Sequence, residues 1–310
     1  MISVLHKSDW ANEGPWRAAW KKHAPEMAVQ VYPEVPDPAA VQYALVWDPP
    51  PGFLASLPNL QVIFSIGAGI DHIARDPDRP KQLPVVRMVE QGLTEGMSEF
   101  VALSVLWHHR DMDVYARHQR EKIWEEFPPV LARQRKVGFL GMGVLAGDAA
   151  RKLSVFGFQL HGWSRSPKSV EGVAMHHGPE GLEAMLREVE ILVGLLPQTP
   201  ETEGLLNART LGLLPRGAAV INAGRGGLIV EKDLLAALDS GQIRGATLDV
   251  FRSEPLPKDS AFWTHPRVVV TPHVAAKTMA DTAVESVVAN IRRHQAGEPL
   301  TNVVDFERGY

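Results

Sequence analysis

Short apolar runs alternate with helical stretches along the first third of the chain. ISVLH (2–6) reads as a strand, as do MAVQVY (27–32), YALVW (43–47), VIFSI (62–66) and PVVRM (84–88). Residues 10–23 carry helical spacing, with tryptophans at 10, 16 and 20. Strands alternating with helices predict a parallel sheet covered on both faces. From about Glu95 to Arg120 the apolar Phe100, Leu103, Val105 and Leu106 mark a long helix that turns polar toward its end. EKIWEEFPPVLARQR (121–135), with its paired prolines, reads as a connection. A second series begins at Lys136. KVGFLG is a strand, and residues 145–156 form a helix that stops near Gly157. FQLHGW, EILVGLL, AAVINA, GATLDV and RVVVTP follow as strands with helices between them, and residues 279–296 form an amphipathic helix. The pattern predicts an α/β protein with two doubly wound parallel-sheet domains.

Length agrees with that reading, because 310 residues exceed what one core usually serves. A net charge of −4 lacks the basic field of a nucleic-acid binder. The chain has no cysteine, which excludes disulfides, thiolate metal sites and a cysteine nucleophile. MISVLHKSDW lacks the apolar core of a signal peptide, and no run of about eighteen apolar residues could span a membrane. A cytoplasmic protein with no membrane partner is the expectation. P-loop, zincin and nucleophile-elbow motifs are missing. The pairs His108-His109 and His176-His177 lack metal-ligand spacing and read as surface histidines, so no metal is expected.

The sharpest local signal is Gly141-Met142-Gly143-Val144-Leu145-Ala146, which fits G-x-G-x-x-G/A between a strand and a helix. The first glycine permits the tight turn, the second lets a pyrophosphate approach, and the small third residue allows close helix packing. The helix N-terminus then offers free N–H groups to the phosphates. About 20 residues further on, NAD-binding members of this fold place an acid on the ribose hydroxyl. Trp163 and Ser164 stand there instead, followed by Arg165, Ser166 and Lys168. A guanidinium binds phosphate through forked, charge-assisted hydrogen bonds, so NADP(H) is favoured, with NAD(H) the weaker cofactor.

Three polar residues follow later strands. Arg225 lies in INAGRGG, Glu254 in LDVFRSEPLP and His273 in VVVTPHVAA. Open α/β sheets place their ligands at these C-terminal strand ends. Each residue alone also has an ordinary reading as a solvated or structural group.

Together the segments GFLGMGVLA, LLPQTPETEGLL, INAGRGGLIVEKDLLAALDSGQIRGATLDVF, SEPLP and TPHVAAKT resemble the D-isomer-specific 2-hydroxyacid dehydrogenase family over nearly the whole chain. WSRSPK, GAGID and the terminal RGY are similar to its glyoxylate/hydroxypyruvate reductase branch. Ala146 and Ala276 replace glycines common in the family. The resemblance implies NADPH-dependent reduction of a small 2-oxo acid. Arg225 would hold the substrate's carboxylate and carbonyl oxygen. His273 would donate the proton as hydride reaches C2, and Glu254 would hydrogen-bond His273. A neighbouring carboxylate raises a histidine pKa that starts near ~6.5, so reduction should weaken as pH rises through that raised value. Pro197 and Asp249 join Gly141, Gly143, Val144, Leu145, Ser164, Arg165, Ser166 and Lys168 as implied cofactor contacts. Trp47 and the backbone N–H groups of Gly67, Ala68 and Gly69 are implied substrate contacts, the last three as an anion nest.

The implied architecture is a Rossmann cofactor domain, residues 101–282, inserted in a flavodoxin-like substrate domain of residues 1–100 and 283–310. The active site would be the cleft between them, with the long helix near 95–118 and the helix 279–296 as hinges. A homodimer through the cofactor domain is implied as well. A nucleotide-sensing regulatory protein on the same scaffold, or an NAD-linked dehydrogenase, are the alternatives. The lack of a disordered or basic tail argues against the first, and the Arg165 region against the second.

Overall fold

A computed structural model describes residues 2–8, 13–307 and 309. Trp10, Arg308 and Tyr310, which figured in the sequence reading, lie outside the described residues. The chain divides into two compact units, residues 1–93 with 277–310, and residues 94–276.

The first unit contains β1 (Ser3–Lys7), α1 (Gly14–His23), β2 (Ala28–Val31), β3 (Val41–Val46), β4 (Val62–Ser65), α2 (Asp71–Ala74) and β5 (Val85–Val86). Its five strands are all parallel, in the order β2-β1-β3-β4-β5. Unbroken apolar runs such as Ala44-Leu45-Val46 are buried, as a sheet covered on both faces requires. The helix α3 (Gln91–His109) starts in this unit and runs into the second.

The second unit continues with α4 (Met112–Glu121), β6 (Lys136–Leu140), α5 (Val144–Ser154), β7 (Gln159–Ser164), β8 (Val173–His177), α6 (Gly178–Leu186) and β9 (Ile191–Gly194). Next come α7 (Ala208–Leu211), β10 (Ala218–Asn222), α8 (Glu231–Asp239), β11 (Ile243–Leu248) and β12 (Val268–Val270). The sheet is parallel throughout, in the order β12-β11-β10-β9-β6-β7-β8. The strand period of two sorts its apolar side chains into two cores. Val137, Phe139, Val193 and Ile221 pack against α3 and α5, whereas Leu140, Leu192 and Val220 pack under α6 and α8. The chain then returns to the first unit through α9 (Ala280–Gln295), which packs on α1, with Asp281 bonded to Lys22 and His23. No described helix is long and apolar enough to cross a membrane.

Three features differ from the expectation. The long helix breaks at Arg110-Asp111, where Asp111 takes a left-handed backbone (φ 56°) and its carboxylate is bound by Arg244. His108 is 0 % exposed and His109 is buried too, so neither is a surface residue. His108 is held by Thr247 Oγ1 at 3.0 Å and stands 3.6 Å from Asp113. Finally, VAMHH forms the edge strand β8, in which His176 pairs across to His161 at 3.2 Å.

Candidate active site

In each sheet the strand order reverses beside the strand that opens the unit, between β1 and β3 and between β6 and β9. Ligands of open α/β sheets bind outside the C-terminal strand ends at such a point. In the second unit the glycine turn follows β6. Gly141 has φ 90°, and a Cβ there would stand 3.3 Å from the Leu195 carbonyl beyond β9, so only glycine fits the turn. Gly143 caps α5, and nothing lies within 4 Å of where its Cβ would be. Ala146 is buried against the sheet, as close helix packing requires, while Val144 faces outward.

Beyond β7, Ser164 Oγ donates to the Ser166 carbonyl at 2.8 Å, and Arg165, Ser166 and Lys168 are exposed. Lys168 Nζ reaches the Met142 carbonyl, which ties this turn to the glycine loop. The Arg165 charge also acts on Glu201, whose carboxyl lies below its ordinary range mainly through a hydrogen bond with Thr199. Pro197 follows β9, and its carbonyl accepts from Thr202 at 2.7 Å.

Arg225, Glu254 and His273 lie beyond β10, β11 and β12. Glu254 Oε2 stands 2.7 Å from His273 Nδ1, and Oε1 accepts from Phe251 N at 2.9 Å. Burial opposes ionisation of Glu254 more than any other single influence. The hydrogen bonds from His273 and Phe251 N, with the charges of His273 and Arg225, outweigh it together, and the carboxyl is held below its ordinary range. Arg225 Nη1 donates to the Gly224 carbonyl at 2.8 Å. The buried Asn222 fastens this loop, accepting from Gly224 N and donating to the Arg225 carbonyl at 3.0 Å.

Asp249, expected among the cofactor contacts, is 1 % exposed, and its carboxylate accepts from Thr271 Oγ1, Val274 N and Ala275 N. Its place is therefore inside the loop that carries His273. Neither this role nor that of Asn222 was foreseen. A polar residue closing an otherwise apolar strand, as in AAVIN and GATLD, was the available signal.

In the first unit the turn Gly67-Ala68-Gly69 follows β4 and is half-buried. Gly67 N donates to Ser65 Oγ at 3.2 Å, which occupies one of the three N–H groups expected to form the anion nest. The Trp47 ring covers Gly67, where a Cβ would meet it at 2.7 Å, and packs on His72 with centroids 4.3 Å apart. The buried Lys7, at the end of β1, donates to the Trp47 carbonyl at 2.7 Å.

Residues 102–275 match the family model described as D-isomer specific 2-hydroxyacid dehydrogenase, NAD binding domain. A glyoxylate/hydroxypyruvate reductase A from Yersinia enterocolitica is 43 % identical over 279 residues, covering 88 % of this chain and 89 % of its own. Among solved structures, a D-isomer specific 2-hydroxyacid dehydrogenase from Xanthobacter autotrophicus Py2, in complex with NADPH and MES, superposes with a TM-score of 0.96 at 43 % identity, covering 100 % of this chain and 99 % of its own. An NADPH-dependent glyoxylate/hydroxypyruvate reductase from Sinorhizobium meliloti, in complex with NADP and sulfate, does so with a TM-score of 0.94 at 40 % identity, covering 100 % of both chains.

Proposed function

Because the chain belongs to the D-isomer specific 2-hydroxyacid dehydrogenase family, we propose that it reduces glyoxylate, hydroxypyruvate or a similarly small 2-oxo acid to the 2-hydroxy acid. Its cofactor is NADP(H), as in the relatives solved with it. The residues fit such a group: open space at Gly143, the left-handed turn at Gly141, and a basic turn where NAD enzymes carry an acid. Bound NADPH supplies the hydride for C2.

The 2.7 Å pairing of His273 Nδ1 with Glu254, under the charge of Arg225, carries the rest of the reading. Glu254 fixes the ring through Nδ1 and leaves Nε2 to give its proton to the substrate's carbonyl oxygen. Arg225 offers a forked set of donors to the substrate's carboxylate and carbonyl oxygen. In the first unit, Ala68 and Gly69 N–H groups suit a carboxylate, and Trp47 suits a pocket wall. We assign the carboxylate loop and the pocket wall to that unit, and cofactor binding, with Arg225 and His273, to the other.

Steady-state oxidation of NADPH and of NADH with a panel of 2-oxo acids tests the reading. Turnover of small 2-oxo acids, faster with NADPH, is expected; turnover on none of them overturns it. Arg165→Ala should raise KM for NADPH about 10- to 100-fold, the worth of a hydrogen bond to a charged group, and leave KM for NADH nearly unchanged. Equal effects on both would return Arg165 to the solvated surface.

We propose a homodimer through the second unit. Its segment 122–131, without helix or strand, exposes apolar side chains to water, Trp124 at 95 % with Ile123, Val130 and Leu131, where a monomer gains nothing from them. Light scattering coupled to gel filtration should show a dimer that Trp124→Ala weakens. A monomeric parent protein rejects the assignment.

A further inference from the structure

The proton donor sits on strained backbone. His273 has φ 51°, a left-handed conformation that only a few per cent of non-glycine residues adopt, asparagine, aspartate and histidine more often than the rest. Such a conformation persists only where the surroundings over-determine it. Glu254 grips the imidazole, but it does nothing for the main chain of the loop.

One residue does. Asp249 follows β11, and its N–H donates to the Asn222 carbonyl at 2.9 Å, which fixes it to the end of β10. Its own carbonyl accepts from His273 N at 2.8 Å. Oδ1 accepts from Thr271 Oγ1 at 2.6 Å and from Val274 N at 2.9 Å, and Oδ2 accepts from Ala275 N at 2.8 Å. His273 N also meets the Thr271 carbonyl at 3.1 Å, and Thr271 N donates to the Leu248 carbonyl at 3.0 Å, but the buried aspartate alone bonds residues on both sides of His273 as well as His273 itself. Hydrogen bonds to an ionised acceptor are stronger than neutral ones, and a buried carboxylate that loses its donors has no water to replace them.

We propose that Asp249 is the positioning residue of the proton donor. Its carboxylate holds the left-handed backbone at residue 273, and so sets where the imidazole stands. The two acids divide the work. Glu254 sets the ring's tautomer, and Asp249 sets the position of the Cα that bears it. This inference rests on the reading of His273 as proton donor.

Asp249→Asn keeps the size of the side chain. It places an NH2 group against one set of backbone donors, which cannot accept from them. With the parent protein turning over glyoxylate as the reference, the variant's kcat should fall about 10- to 100-fold, the order of loss that a small misplacement of a reacting group produces. The dissociation constant of NADPH, measured by fluorescence titration, should change less than about threefold, a small fraction of one hydrogen bond to a charged group. The His273 imidazole signals in a 13C–1H spectrum should shift or multiply, a readout that needs no turnover. A weakened NADPH affinity with kcat retained would make Asp249 a cofactor ligand and overturn the proposal, as would an unmoved His273 signal. Should the variant not fold, Thr271→Val removes one donor at nearly constant shape. A several-fold loss of kcat at constant NADPH affinity then supports the proposal, and an unchanged kcat defeats it. A parent protein without turnover but with a displaced His273 signal in the variant would sink the functional reading alone.

Discussion

Replacing His273 by alanine is expected to lower kcat by about 10²- to 10⁴-fold, the usual worth of a positioned general acid. The protein should still fold and still bind NADPH. The side chain is not part of either core; it stands beyond β12 with Nδ1 on Glu254. Its removal leaves Glu254 with the Phe251 N–H and the charge of Arg225, so the carboxylate keeps part of its support. The pH dependence of the pair follows from the depressed carboxyl of Glu254. A folded-state pKa below the unfolded one adds stability that is fully present above the unfolded value and is lost as pH falls through the folded value. Across neutral pH Glu254 is thus a carboxylate, and its contribution is lost as pH falls through its folded-state value. Single-turnover kinetics with saturating NADPH isolates the chemical step. A variant within about threefold of the parent would contradict a proton donor, since it retains nearly all of the rate expected from general acid catalysis.

Which parts of this site the chain discloses by itself has a physical pattern. Arg225, Glu254, His273 and the glycine turn are legible because each follows a regular apolar strand within a few residues of its C-terminal end, and strand periodicity is a local property. What organises them is not local. Asp249 and Asn222 look like ordinary polar strand ends until the partners of their side chains, on neighbouring strands and loops, are known. His108 reads as surface because two histidines in a row are polar. It is buried, with Nε2 paired to Thr247 Oγ1, distant in sequence, and Nδ1 3.6 Å from Asp113, which lies past the helix break. The edge strand β8 escaped notice because VAMHH carries two histidines, and the cross-strand pairing to His161 that accommodates one of them is tertiary. The turn at Arg110-Asp111 depends in the same way on Arg244, more than a hundred residues away.

Gly226→Ala should be the most damaging of the small substitutions, although alanine is ordinarily mild and the backbone at 226 is not in the left-handed region. A Cβ at this position would lie 1.8 Å from the Phe251 carbonyl carbon, 2.1 Å from its oxygen and 2.4 Å from Arg252 N. These are main-chain atoms, which cannot swing aside as a side chain could. The two loops that meet there carry Arg225 on one side and Glu254 on the other, and Phe251 N itself donates to Glu254. Relief of the overlap must therefore separate Arg225 from the Glu254–His273 pair. Overpacking of this kind costs about 1–3 kcal/mol or more in stability. A shift of about 1 Å between reacting groups can cost about 10²-fold in rate. The expected result is a folded protein with a lower Tm and a kcat/KM for glyoxylate reduced by about two orders of magnitude. NADPH affinity should change far less, because the glycine turn at 141–143 follows a different strand. Gly147→Ala is the matched control: nothing lies within 4 Å of its Cβ position, so added bulk alone should leave both Tm and rate near the parent values. If Gly226→Ala behaved like that control, the two loops would be free to part without consequence. Contact between them could then not be what holds Arg225 in register with the acid pair.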